Sequence, residues 1–233
     1  MKRTVMFAAA ALLSGFVLGT LFGSGALTSG ESAVLTAAAA GVGTPIPMAG
    51  SPDNPPAATV TPLDPEDDTL LLERAGQVLE AMKAADYGAL AALVSPVSGV
   101  TFTPYSTVNA EVDLCLTARQ VAELGTDDTI YVWGLEDGTG EPIRLTGEDY
   151  FAQYVFNTDY TQAPSLSVDQ VQASGNAMEN VAESYPEARF VEYYFPGLDP
   201  EMEGYDWCSL KLVLQPEQND WYLVGVIHGQ WTI

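Results

Sequence analysis

The only histidine of the chain and two carboxylates are the best candidates for acid–base chemistry. His228 is the one histidine among 233 residues, and it lies in a β-rich stretch at the C-terminus. Glu192 and Asp206 lie on or beside neighbouring predicted strands, where each could supply a carboxylate to the imidazole. Such a pair is suited to act as a general base near neutral pH. The alternative interpretation, which we favour, is that His228 is a core or rim residue and that Asp206 caps a turn.

A second group of residues is suited to binding a ligand. Strict alternation along the last predicted strand places Tyr222, His228 and Gln230 on one face, which would line the cavity of a cone-shaped domain. Tyr105 and Trp207 add aromatic surface of the kind that contacts sugars and peptides. We therefore take Tyr105, Tyr222, Gln230 and Trp207 as candidate ligand-binding residues, while noting that tryptophans at strand positions more often pack a core.

Metal and nucleophilic chemistry are poorly supported. A zinc site of the usual kind needs several spaced histidine or cysteine ligands, and the sequence has a single histidine and no such cluster. We predict no cofactor. Asp137 and Glu141 form the best candidate for a Ca²⁺ site, but their segment lacks the alternating ligands of an EF-hand, and a hairpin turn explains it at least as well. A serine triad would have to use His228, and residues 64–233 contain no G-x-S-x-G motif.

The two cysteines allow two interpretations. The chain has two cysteines, Cys115 and Cys208, and an export signal. Because exported proteins meet oxidising conditions, these two cysteines could form a disulfide. Both also lie in apolar, strand-like runs, where a buried free thiol is normal. The sequence leaves this choice open.

The first residues of the chain have the order of an export signal. Lys2 and Arg3 are followed by an uncharged apolar run, residues 5–22, and then by small residues. This order predicts a signal peptide cleaved after Ala26, or an uncleaved membrane anchor, because the run is about as long as a membrane span. In both cases the basic start stays in the cytoplasm and the rest lies outside it. We expect membrane contact only through residues 1–26.

The composition changes after this segment and again near residue 64. Residues 27–63 are rich in Ala, Gly, Pro, Ser and Thr and have no amphipathic period, which predicts a flexible linker. Residues 64–233 are enough for a single globular domain. Without Lys2 and Arg3, 6 basic residues remain against 31 acidic ones, a net charge of −25. Such a surface repels phosphate groups, which excludes a nucleic-acid partner and favours solubility.

Helix and strand patterns indicate an α+β domain. Asp64 and Pro65 predict the start of a helix with apolar residues at three- and four-residue spacing, and Asp86 predicts the start of a second one. A further helix is predicted over 147–156. Three long β-rich runs predict an antiparallel meander; they are residues 188–195, 207–214 and 221–233. The predicted fold is a helical hairpin packed on a curved antiparallel sheet.

Short stretches spread over most of the domain carry a resemblance to known proteins. They are residues 99–105, 133–134, 137–143, 175–176, 191–197, 206–207, 209–210 and 227–233. Together they resemble a family of secreted or lipoprotein-type proteins of Firmicutes that has no established activity, so the resemblance implies no catalytic residues. The order of elements is also similar to the nuclear transport factor 2-like superfamily. That resemblance implies a cone with a pocket, in a superfamily of isomerases, dehydratases and non-catalytic modules.

The residues favour a binding protein over an enzyme. An export signal precedes a domain without a complete catalytic constellation, so we expect a non-catalytic extracytoplasmic module that binds a small ligand, a cell-wall component or a protein. The alternative is a small pocket enzyme, an isomerase or hydrolase, that uses His228 with a carboxylate. A deep pocket lined by His228, Glu192 and a tyrosine would favour the enzyme. A His228 buried against apolar neighbours, with no cavity beside it, would exclude it.

Overall fold

The structure of the chain is a computed structural model that describes residues 64–172, 175 and 177–232. The predicted signal or anchor segment, 1–26, and the predicted linker, 27–63, lie outside these residues. In the part that is described, no helix is both long enough and apolar enough to cross a membrane. The predicted domain boundaries therefore stay predictions.

The predicted helical hairpin is present, with a shifted start. Helices α1 (Asp68–Lys83) and α2 (Tyr87–Leu93) are joined by a short turn. Asp67, and not Asp64, caps α1 by accepting a hydrogen bond from the Thr69 N–H at 2.8 Å. The reason is a turn before the helix, in which the Asp67 N–H donates to the Asp64 carbonyl. The predicted apolar face of α1 is buried; it consists of Leu71, Ala75, Val78 and Met82.

Short strands and helices form the middle of the domain. In chain order they are β1 (Val100–Thr103), β2 (Leu114–Leu116), α3 (Ala118–Glu123), β3 (Tyr131–Leu135), β4 (Pro142–Leu145) and α4 (Gly147–Tyr150). Thr146 caps α4, but the helix predicted over 147–156 does not stay α-helical, because a π-helical turn (Phe151–Val155) replaces its second half. This turn carries Tyr154 into the core, where its hydroxyl donates to Glu136 of the segment between β3 and β4.

The remaining elements include the predicted meander. They are β5 (Ser165–Val168), α5 (Val181–Ser184), β6 (Arg189–Phe195), β7 (Cys208–Glu217) and β8 (Asp220–Gln230). β6, β7 and β8 pair antiparallel in sequence order, as predicted. The segment predicted to separate the last two strands is a turn of only two residues, Gln218 and Asn219, both with positive φ. Such a turn matches the twist of the flanking strands.

The main sheet has six strands in the order β2-β1-β8-β7-β6-β5, and β3 and β4 form a separate pair. The α+β class is confirmed, but the prediction of an entirely antiparallel sheet is wrong. β1 pairs with β8 in parallel, with Phe102 opposite Val226. These two strands are far apart in sequence, so packing sets their relative direction and no local turn signal reveals it.

The two faces of the main sheet are covered by different parts of the chain. On one face, the main core packs side chains from α1 to α4 against the strands. On the other face, a smaller second core contains Phe190, Val213 and Ile227. This face is covered by the described residues between β5 and β6, which are residues 169–172, 175 and 177–188, and we call them the covering segment. It contributes Val181, and Tyr185 in a partly buried position. Both faces of the central strands are therefore largely buried, whereas edge positions such as Cys115 on β2 and Leu166 on β5 are exposed.

A β-bulge in β8 changes which residues share a face. Leu223 lies opposite Leu214 and Gly225 lies opposite Val213, so Val224 is an additional residue. A bulge of this kind shifts the side-chain alternation by one position. Leu223 and Val226 therefore both point into the main core, while Val224 joins the second core. The predicted face that joined Tyr222 to His228 is wrong for this reason.

Candidate functional site

His228 is a buried residue of the main-core face. Its side chain is fully inaccessible to solvent, it lies opposite Leu210, and its ring meets Tyr154 edge to face at 6.1 Å. Nε2 lies 3.2 Å from Gln230 Oε1. Burial lowers the pKa of His228 to about 4, and the charge of Lys211 lowers it further, while the contact with Gln230 opposes the shift. The imidazole is therefore neutral at physiological pH.

Glu192 lies on the opposite face of the sheet from His228. Its strand neighbours Val191 and Tyr193 point into the main core, so the Glu192 side chain points into the second core. There Glu192 Oε1 lies 3.2 Å from Lys211 Nζ, and Glu179 Oε2 of the covering segment lies 2.9 Å from the same nitrogen. The predicted pairing of His228 with Glu192 is therefore wrong, and Glu192 instead belongs to a buried ionic cluster.

Asp206 is occupied within its own loop. Its Oδ2 accepts hydrogen bonds from the backbone N–H groups of Leu198 at 2.9 Å and Asp199 at 2.5 Å. These bonds close the loop between β6 and β7 and agree with the interpretation of Asp206 as a turn cap. The structure therefore brings neither carboxylate candidate to the histidine.

The four predicted ligand-binding residues do not converge. Tyr222 lies near the start of β8, opposite Gln215, whereas Gln230 lies at its end, opposite Cys208. Trp207 is buried beside Tyr194 and covered by Gly175. Tyr105 alone lines a sizeable cavity. The other three occupy structural positions in or beside the sheet.

A groove at the end of β1 brings Tyr105 together with several carboxylates, and it is our candidate site. Its volume is about 590 Å³, and its walls come from the segment after β1, the turn between β3 and β4, and the covering segment. Tyr105 Oη donates to Glu136 Oε2 at 2.8 Å, and Tyr154 Oη donates to Glu136 Oε1 at 3.3 Å. Two tyrosines thus hold one carboxylate at the groove before any ligand binds. Burial, followed by the bond to Glu136, raises the pKa of Tyr105.

A second carboxylate, Asp113, lines the same groove. Asp113 Oδ2 accepts from Thr103 Oγ1 at 2.7 Å and from the Asn109 N–H at 2.9 Å. Burial raises the pKa of Asp113, while these two hydrogen bonds oppose the shift. With Asp137 the groove presents three carboxylates, and the described residues that line it include no lysine or arginine. The sequence patterns do not reveal Asp113, whose place depends on its bonds to Thr103 and Asn109, or the role of Glu136, which the fold brings to Tyr105 with the β3–β4 turn.

The acidic segment proposed for Ca²⁺ forms the turn between β3 and β4. The Glu136 N–H donates to the Glu141 carbonyl at 2.7 Å, and the Gly140 N–H donates to the Glu136 carbonyl at 2.9 Å. Asp137 lines the groove and Glu141 does not. No group of three or more histidine, cysteine or acidic side chains in the described ranges is arranged to hold a metal ion. The segment is thus the hairpin turn that the sequence offered as the alternative.

The two cysteines are separate free thiols. Cys115 is exposed on β2 and Cys208 is buried on β7, with β1 and β8 between them. A disulfide needs Cα atoms less than about 7 Å apart, which strands so far apart in one sheet cannot provide. Burial raises the pKa of the Cys208 thiol, and the contact with Tyr160 opposes the shift. The disulfide alternative is therefore wrong, and Cys208 is a core residue.

Solved structures similar to this chain share little of its sequence. A DUF4783 family protein from Bacteroides ovatus is 10% identical, with 67% of this chain and 94% of that chain covered, at a TM-score of 0.27. An NTF2-like protein of unknown function from Shewanella baltica is 9% identical, with coverages of 68% and 89% and a TM-score of 0.29. A domain of unknown function with a cystatin-like fold from Nostoc punctiforme is 11% identical, with coverages of 72% and 78% and a TM-score of 0.30.

No family model matches the chain, and no curated protein matches it. Similarity to the nuclear transport factor 2-like superfamily is found only at the level of the solved structures. The resemblance to secreted Firmicutes proteins stays a prediction. The fold class follows from the helices and strands described above. The candidate site follows from the contacts within the groove.

Proposed function

We propose that this chain is a non-catalytic binding module that takes a small, positively charged ligand in the groove lined by Tyr105, Asp113 and Glu136. The observation that carries the proposal is the Glu136 carboxylate, which two tyrosine hydroxyls hold in a groove of about 590 Å³. A preformed acceptor of this kind binds an amine or guanidinium group without first having to be ordered.

The electrostatics of the groove support a cationic ligand. Asp113, Glu136 and Asp137 line it, and the described lining residues provide no positive charge to balance them. The chain as a whole has a net charge of −23, so the field around it attracts cations and repels anions. Amine and guanidinium donors also form stronger hydrogen bonds to carboxylates than neutral donors do.

Binding is favoured over catalysis because the fold separates the acid–base candidates. His228 is buried in the main core, Glu192 is buried on the other face of the sheet, and Asp206 is bound to its own loop. An enzyme that used His228 with Glu192 or Asp206 would need the imidazole and the carboxylate in contact, and the fold keeps them apart. The order of residues 1–26 supports a location outside the cytoplasm, either released or anchored to the outer face of the membrane.

The proposal predicts that small amines bind at the groove and that Glu136→Gln weakens them about five- to tenfold, since a charged hydrogen bond becomes a neutral one. The measurement is an NMR titration of the isotope-labelled chain with lysine amide and arginine amide. Chemical-shift changes are expected around Tyr105, Glu136 and Gly138.

The matched control is Glu141→Gln, which removes an exposed carboxylate of the same turn that does not line the groove. It should leave the affinity unchanged. Glutamine amide, which has no side-chain charge, and succinate, which is an anion, serve as ligand controls. Equal binding of the neutral or anionic compounds, or shifts that lie away from the groove, would contradict the proposal.

A further inference from the structure

Four large apolar side chains are exposed in two segments that meet at one end of the main sheet. Three belong to the loop between β6 and β7: Leu198, Met202 and Tyr205, which are 50%, 49% and 57% exposed. The fourth, Trp231, is 40% exposed and follows the end of β8. Its ring meets that of Tyr205 edge to face at 5.0 Å. We call these four residues the aromatic patch.

The loop that presents the aromatic patch is held in one conformation. Asp206 Oδ2 accepts two backbone N–H groups at the start of the loop. Asp199 Oδ1 caps a short 3₁₀ helix by accepting from the Glu201 N–H at 2.9 Å. The Tyr205 N–H donates to the Met202 carbonyl at 2.9 Å, which fixes these two patch residues relative to each other. A patch on an ordered loop loses little conformational entropy when a partner binds.

Acidic residues alternate with the patch residues along the loop between β6 and β7. Asp199, Glu201 and Glu203 are exposed on the same loop, and the loop contains no lysine or arginine. A second copy of this chain would place these carboxylates against identical ones, because a twofold contact pairs a surface with itself. Repulsion between these carboxylates therefore disfavours self-association. The same carboxylates attract a partner that has positive charge around an apolar centre.

We propose that the aromatic patch is a docking surface for a basic polypeptide segment that carries aromatic or aliphatic side chains between its lysines or arginines. The apolar side chains of the segment pack on Tyr205, Trp231 and Met202. Its cationic groups contact the carboxylates of Asp199, Glu201 and Glu203. An exposed apolar centre with a charged rim is the usual composition of a protein–protein contact surface. This surface is separate from the groove, and the two have no residue in common.

The test is fluorescence anisotropy of the full chain with a short fluorescein-labelled peptide in which lysines flank aromatic residues. Tyr205→Ser and Trp231→Ser are each expected to weaken binding about tenfold, since truncation of an interface anchor has effects of this size. Glu201→Lys is expected to weaken it several-fold, and more at low than at high salt. Val97→Ser removes another exposed apolar side chain, and Glu111→Lys reverses another exposed acidic residue. Neither should change binding.

Two further comparisons separate this surface from the groove. Glu136→Gln should leave peptide binding unchanged, and Tyr205→Ser should leave amine binding unchanged. All substituted patch residues are exposed, so thermal unfolding of the variants should match that of the original chain. Equal binding of a peptide with glutamates in place of lysines would overturn the proposal. The proposal would also be overturned if the patch variants bound the peptide as tightly as the original chain does. Sedimentation that shows a dimer which depends on the patch residues would overturn it as well.

Discussion

Replacing Lys211 by methionine is expected to lower the free energy of unfolding by about 3–5 kcal/mol at neutral pH, the usual cost of removing one partner from a buried ion pair. Lys211 and Glu192 are fully buried, and Glu179 is largely buried. Without the ammonium group, two carboxylates would remain in the second core with no cation beside them. The measurement is urea unfolding followed by tryptophan fluorescence.

The matched control is Lys83→Met. Lys83 Nζ lies 2.9 Å from Asp159 Oδ2, the same distance as in the Lys211–Glu179 pair, but both side chains are about two-fifths exposed. Water screens this pair, so its loss should cost only a small fraction of the Lys211 effect. A Lys211→Met variant as stable as Lys83→Met would show that the cluster is not stabilised by its charges. Adding Glu192→Leu to Lys211→Met should recover part of the loss, because one unpaired carboxylate is removed.

Burial of His228 is expected to make the protein less stable as the pH falls from about 6.5 to about 4. The pKa of His228 is lowered to about 4 in the folded chain, while an unfolded histidine has a pKa of about 6.5. Between these values the unfolded chain binds a proton that the folded chain does not, so stability decreases as the pH decreases. The difference of the two pKa values corresponds to about 3 kcal/mol.

Comparing unfolding free energies of the original chain and His228→Phe from pH 7 to pH 4 isolates this contribution. Carboxylates titrate in both proteins, so the difference between the two curves reports the imidazole alone. We expect that difference to change by about 3 kcal/mol across the window in favour of the variant at low pH. Because His228 is the only histidine, its NMR signals also give the pKa directly. Parallel curves, or a folded-state pKa near 6.5, would contradict the burial described above.

Much of the scaffold is predictable from local sequence patterns. The apolar spacing in α1, the caps Asp86 and Thr146, and the three β-rich runs of the meander all correspond to observed elements. These features depend on nearby residues, which a sequence shows directly. β5 and α5 were missed because each has only four residues and their patterns are weak. The parallel pairing of β1 with β8 was missed because it joins distant segments.

The sites are less predictable than the scaffold. The sequence marks Tyr105 as a ligand-binding candidate, but Asp113 reaches the groove through its hydrogen bonds to Thr103 and Asn109, and Glu136 reaches it through the packing of the β3–β4 turn. The buried ionic cluster left one signal, which is a charged residue in the middle of each of two adjacent apolar strands, Glu192 and Lys211. Their pairing follows from the strand register, which the sequence alone does not fix.

The extra residue in β8 decides on which side of the sheet the imidazole lies. If Val224 were removed, Leu223 and Gly225 would be consecutive opposite Leu214 and Val213, and His228 would stay opposite Leu210, beside Tyr154. If Val224 were kept but paired in the ladder, the rest of the strand would slip by one position, and His228 would lie opposite Ser209, on the side of Lys211 and Glu192. A single unpaired residue thus keeps the histidine apart from the buried carboxylate.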